Sequence, residues 1–333
     1  MNERISKLRK QTLDILPYIS SERAELITDF YQSEVPMQVS KPVCRAMSFK
    51  YIMENKHICI NEGELIVGER GPAPKATPTY PELCCHDLED FRIMSTRDRT
   101  RYDVSDQVKK VYEERIIPFW SGKTMREKLF GMMTEKWHKA HDAGVFTEFM
   151  EQRSPGHAIM DDKIYKYGML RFKERIAESR AKLDFLNDHD AYDKDQQLQA
   201  MDIACDAIMI FARRCEEKVR ELAQSETDLI RKEELLNIAE VCKQVPANAP
   251  RTFQEALQTY WFIHLGVISE LNTWDSFNPG RLDYNLYPFY KKQIDAGELT
   301  KEDARELLQC FWIKFNNHPA PPKVGITEEA SGT

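Results

Sequence analysis

The chain has 333 residues, 42% hydrophobic and 30% charged, a balance that supports a buried core and excludes a fibrous or wholly disordered chain. Lys and Arg total 47 against 54 Asp and Glu, and the resulting net charge of -7 is a poor match for nucleic acid. No run reaches the ~18 apolar residues that a membrane-spanning helix needs, and the charged N-terminus has no apolar stretch behind it, so the sequence predicts a cytoplasmic protein with no membrane partner.

In chain order, Glu64 to Gly68 (ELIVG) follows a Gly63 turn and reads as a short strand. The prolines Pro72, Pro74, Pro78 and Pro81 then predict an extended surface loop over 71–81. Apolar residues recur at helical spacing from Asp195 to Val245 (Leu198, Met201, Ala204, Ala207, Ile208, Phe211, then Leu235, Ile238, Ala239, Cys242). This predicts a helical pair broken near Ser225-Glu226-Thr227. Thr252 and Glu255 have capping-box spacing and open an apolar helix through Leu257, Trp261, His264 and Val267. Thr300 and Asp303 start another, carrying Leu307, Leu308, Phe311 and Phe315 and closed by Asn316-Asn317-His318-Pro319. Val324 to Thr327 reads as a second strand. With only 13 glycines, the composition favours helices.

The eight cysteines (Cys44, Cys59, Cys84, Cys85, Cys205, Cys215, Cys242, Cys310) show no C-x-x-C pair and predict free thiols in a reducing compartment. No metal site is expected, because adjacent residues such as Cys84-Cys85-His86 rarely bind one ion together. G-x-G-x-x-G, G-x-x-x-x-G-K-[ST], H-E-x-x-H and G-x-S-x-G are all absent, which removes the nucleotide-binding and serine-hydrolase readings.

Three segments mix turn residues with an ionisable group in an apolar setting. In FMEQRSPGH (149–157) a Pro-Gly turn delivers His157, either as a proton carrier or as a turn cap. In ELNTWDSFNPGRLD (270–283) Asp275 lies between Trp274 and Phe277, either a desolvated acid or a cap paired with Arg281. In FNNHPAPPKVGIT (315–327) a proline-rich approach leads towards Ser331, as a pocket wall or a connecting loop.

In their order and spacing these three segments, together with NEGELIVGERG (61–71) and PTYPELCCHDLED (78–90), resemble the N-terminal part of a glycyl radical enzyme of the pyruvate formate-lyase-like family. The resemblance covers essentially all 333 residues as one N-terminal unit, incomplete at its C-terminal end. It implies a helix-rich α/β fold, the first part of the family's α/β barrel. It also implies a radical dehydratase that removes water from trans-4-hydroxy-L-proline to give 1-pyrroline-5-carboxylate, with no bound cofactor but a glycyl radical installed by a radical-SAM activating enzyme, and a homodimeric parent. His157 and Asp275 would then serve the hydroxyl, the amine and the proton network, their roles not fixed, while Phe149 packs on the substrate ring and Ser331 hydrogen-bonds its carboxylate.

No cysteine here stands in the family's Gly-Cys-Xaa-Glu loop, and Arg-Val-Xaa-Gly-Tyr is missing. Both radical carriers are expected beyond Thr333, leaving the 333 residues inactive alone. The alternatives are another family member, a formate C-acetyltransferase or a diol dehydratase, and a truncated, non-catalytic binding module.

Overall fold

A computed structural model describes residues 2–146, 160–270 and 279–319. The described elements begin with α1 (Glu3–Asp14), β1 (Tyr18–Ser20), α2 (Glu22–Gln32), α3 (Val35–Gln38), α4 (Lys41–Asn55), β2 (Ala76–Pro78), α5 (Leu88–Thr96) and α6 (Asp106–Val111). A π turn (Tyr112–Ile116), α7 (Ile117–Trp120), α8 (Met125–Met132) and α9 (Glu135–Asp142) follow. The rest is α10 (Lys163–Lys166), α11 (Met169–Arg180), α12 (Ala191–Ser225), α13 (Leu229–Gln244), α14 (Phe253–Glu270), α15 (Leu282–Asp295) and α16 (Lys301–Asn316).

The helix-rich reading holds. The predicted pair is α12 and α13, and the break falls at the expected cluster, where the Asp228 carboxylate accepts from Ile230 N at 2.9 Å and starts α13. α16 opens with a complete capping box between Thr300 and Asp303. At α14 the Thr252 hydroxyl accepts from Glu255 N at 3.1 Å, but Glu255 reaches one residue further back, to Arg251 N at 2.6 Å.

α14 is apolar around nearly its whole circumference and is buried on every side, as such a helix must be. Around it, α1, α4, α12, α13 and α16 close one hydrophobic core that includes Phe49, Met53, Phe211, Leu235, Trp261, Phe262 and Phe311. A second core collects Ile27, Phe91, Met94, Tyr112, Ile116 and Trp120 from α2, α5, the π turn and α7.

Two expectations near the N-terminus are corrected. Glu64 to Gly68 is not a strand. Its backbone partners are side chains: Gln258 donates to Val67 O and accepts from Val67 N, both at 2.9 Å. Gln254 donates to Leu65 O at 3.0 Å and Trp261 Nε1 to Gly68 O at 2.9 Å. One face of α14 thus does the work of a neighbouring strand for Leu65, Val67 and Gly68, whose backbone groups find these partners without a sheet. Gly68 ends it at φ +104°, with Leu265 Cδ1 only 2.9 Å from where a Cβ would stand.

The proline-rich stretch 71–81 is not a surface loop either. Ala76, Thr77, Thr79 and Tyr80 are buried, and β2 pairs in parallel with β1 in the register Tyr18↔Ala76, Ile19↔Thr77, Ser20↔Pro78. Proline is tolerated because Pro78 sits at the end of a two-stranded sheet. The second predicted strand, 324–327, lies outside the described residues.

Candidate functional site

Phe149, His157, Asp275 and Ser331 all lie outside the described residues. What the structure does place is the framework from which two of those segments depart. Tyr260 meets Phe311, and Trp261 and His264 meet Phe315 with ring centroids 5.2 Å apart, so the pairings advance together and α14 and α16 run in the same sense. Their C-terminal ends, Glu270 and Asn316, precede the segments carrying Asp275 and Ser331.

At this end α16 places a charge on its buried stripe. Ala304, Leu307, Cys310 and Phe311 are followed at the same helical spacing by Lys314, 2% exposed. Its ammonium lies 2.7 Å from Glu64 Oε2 and 2.6 Å from Glu69 Oε1. Asn61 Nδ2 donates to Glu69 at 2.7 Å and to Glu64 at 3.1 Å, and Asn317 Nδ2 donates to Glu69 at 3.0 Å. His318 Nε2 lies 2.5 Å from the other Glu69 oxygen, and its ring stacks on Trp261 at 5.1 Å.

The two carboxylates that share one ammonium are not equivalent. Burial raises the Glu69 carboxyl, but Lys314 and then His318 outweigh it, and Glu69 is held well below the usual carboxylate range. Glu64 has fewer donors, and burial together with the Glu69 charge leaves it raised in spite of Lys314. Burial lowers His318 to about 4 and His264 to about 3, so both imidazoles are neutral at pH 7. His318 Nε2 also lies 3.3 Å from Arg70 N, so the ring touches both the Glu69 carboxylate and the backbone that follows it.

The 61–71 segment is pinned from several directions. Arg4 donates to Gly63 O at 2.7 Å and Arg231 to Glu64 O at 3.1 Å. Lys56, 2% exposed, donates to the carbonyls of Glu69 and Arg70, each at 2.7 Å. Burial lowers its amine to about 8. Arg70 donates through Nη2 to Pro319 O, tying the segment to the chain leaving α16.

This buried charge cluster escaped the motif reading, although both of its chain segments were singled out. Its visible trace in the sequence is Lys314, a cation at a position where the α16 periodicity calls for an apolar residue. A second grouping, Asp188, His189 and Asp190, brings three ligand atoms within 4.8 Å of one another. It is largely exposed, and the Asp188 carboxylate already serves Lys194 at 2.6 Å and Asp190 N at 3.0 Å. Among the described residues no helix is long and apolar enough to cross a membrane.

The chain matches a family model described as pyruvate formate lyase-like over residues 1–333. It is 51% identical over 331 residues to trans-4-hydroxy-L-proline dehydratase of Clostridioides difficile, an alignment covering 99% of this chain and 42% of that protein. The crystal structure of hydroxyproline dehydratase from the same organism, with trans-4-hydroxy-L-proline bound, superposes with a TM-score of 0.95 over 98% of this chain and 41% of that one. The B12-independent glycerol dehydratase from Clostridium butyricum, in its glycerol-bound form, gives 0.90 at 30% identity over 99% and 41%. The chain therefore spans about two fifths of the length of these relatives.

Proposed function

The chain belongs to the pyruvate formate lyase-like family, and from that membership we propose that it is the N-terminal part of a glycyl radical dehydratase acting on trans-4-hydroxy-L-proline. The observation that carries this reading is the 51% identity, over 99% of the chain, to a dehydratase of that substrate. Removing water from an unactivated hydroxyl requires a proton on the departing oxygen, in a site kept from bulk water. His157 and Asp275 are the residues assigned to that proton and to the substrate amine, Phe149 to the face of the ring, and Ser331 to the carboxylate.

No Gly-Cys-Xaa-Glu or Arg-Val-Xaa-Gly-Tyr run occurs in the 333 residues. Hydrogen removal is therefore assigned to residues outside these 333, with the radical installed by a radical-SAM activating enzyme on a cytoplasmic, homodimeric parent protein. The 333-residue chain supplies binding and proton handling and does not turn over by itself.

The test is anaerobic. The complete protein, activated by its partner, is offered trans-4-hydroxy-L-proline, glycerol, 1,2-propanediol and pyruvate, and 1-pyrroline-5-carboxylate is measured by mass spectrometry. Turnover of hydroxyproline, lost in His157→Ala and Asp275→Asn, supports the reading. Preferred turnover of a diol or of pyruvate overturns it in favour of the other family activities. Turnover by the isolated 333-residue chain contradicts the division of labour, and the absence of any radical on the complete protein favours a binding module.

A further inference from the structure

Arg70 is 4% exposed, yet most of its hydrogen-bonding capacity is unused. Nη2 donates to Pro319 O, whereas Nε and Nη1 have no partner among the described residues. A buried guanidinium left this way is unfavourable, since an orphaned buried donor loses its hydrogen bonds to water without replacement, and the loss is larger when the group is charged. Solvent does not relieve it at this depth.

The neighbouring carboxylates are already taken. Glu69 accepts from Lys314, Asn61 and Asn317 and meets His318, and Glu64 accepts from Lys314 and Asn61. Glu82 is paired with Arg23 at 2.5 Å, and Glu270 is paired with Arg45. Lys56 is held by carbonyls and has Glu22 as its largest charge partner, so among the buried cations here Arg70 is the one with no carboxylate hydrogen bond or ion pair among the described residues. The charge of Arg70 is felt across this space, where it works with burial to hold His318 and His264 down and opposes the burial that raises Tyr80.

We propose that Arg70 is a carboxylate-binding residue, whose free guanidinium N–H groups hold the carboxylate of a small amino acid at the joined ends of α14 and α16. A carboxylate matches the planar donor fork of arginine. The assignment rests on the amino-acid-substrate reading above and adds to it the charged partner that Ser331, a hydroxyl, does not provide.

The test is calorimetric binding of L-proline, which has the ring, amine and carboxylate but no hydroxyl to lose, to the complete protein without activation. Pyrrolidine, acetate and phosphate serve as controls. The expected result is saturable binding of L-proline, competed by acetate, with no binding of pyrrolidine or phosphate. Arg70→Gln is expected to weaken L-proline by about 30-fold or more and Arg70→Lys by less, since losing one partner of a buried charge pair typically costs 2 kcal/mol or more. Far-UV circular dichroism verifies that both variants are folded. Unchanged L-proline affinity in Arg70→Gln, no binding by the wild-type protein, or equal binding of pyrrolidine or phosphate overturns the proposal. Arg70-dependent binding of L-proline alongside failure of the activated complete protein to dehydrate hydroxyproline sinks the dehydratase reading and leaves this one standing.

Discussion

Replacing Lys314 by Met tests whether the buried cluster is held by charge or merely by packing. The ammonium is the common partner of Glu64 and Glu69 at 2.7 and 2.6 Å, and all three side chains are buried. Methionine fills similar volume but leaves two carboxylates bridged only by Asn61. Glu69 still has Asn317 and His318, so the uncompensated charge falls on Glu64. Breaking a buried ion pair from one side costs about 3–5 kcal/mol. At about 1.4 °C per kcal/mol for a chain this long, Lys314→Met should lower Tm at pH 7 by roughly 4–7 °C.

The pH dependence identifies the cause. Burial already raises Glu64 in the native protein, against the pull of Lys314, and removing Lys314 raises it further. A carboxyl raised on folding destabilises the native state at neutral pH, and that penalty shrinks as pH falls towards its folded value. The deficit of Lys314→Met relative to wild type should therefore narrow between pH 7 and pH 5, and adding Glu64→Gln should recover a large part of it at pH 7. Calorimetry over that range is the assay. A loss below about 2 °C, or one that is the same at both pH values and in the double variant, refutes the reasoning.

Gln258→Leu removes both hydrogen bonds to Val67 and should cost roughly 2–5 kcal/mol, read by urea unfolding and by faster exchange of the Val67 amide. Retained protection at Val67 would show that the side-chain ladder is dispensable. Gly68→Ala combines strain at φ +104° with a 2.9 Å approach to Leu265 and should cost ~1–3 kcal/mol, whereas Gly122→Ala, at φ +75° in open space, should cost less. Equal melting losses in the two would remove the packing argument. The Lys56 amine is lowered to about 8 from its ordinary 10.5, so the unfolded chain binds more protons between these values and wild-type stability should gain a rising contribution with pH across that window. Lys56→Met should abolish that contribution while losing the clamp on the Glu69 and Arg70 carbonyls, measured as the wild-type minus variant difference in Tm at pH 7.5 and 10.

Local pattern carried much of the description. The break between α12 and α13, the apolar α14 and the capped start of α16 follow from 3.6-residue periodicity and from side chains bonding backbone within four residues, interactions written in adjacent sequence. The family was legible because whole runs such as FMEQRSPGH and FNNHPAPPKVGIT keep their order and spacing. Tertiary structure decided what periodicity does not contain. ELIVG has the β-branched, apolar composition of a strand, but its partners are Gln254, Gln258 and Trp261 on a helix some 190 positions away in sequence, so no ladder forms. The prolines of 71–81 mark irregular backbone correctly, yet packing buries it, because proline rules govern backbone shape and not depth. Lys314 stands 245 positions from Glu69 and 250 from Glu64, and only the folded chain makes a charge on an apolar helix face the shared partner of two buried carboxylates. The same closure leaves Arg70 one partner short, since burial sets how many donors must be satisfied and the geometry of the surrounding helices sets how many are.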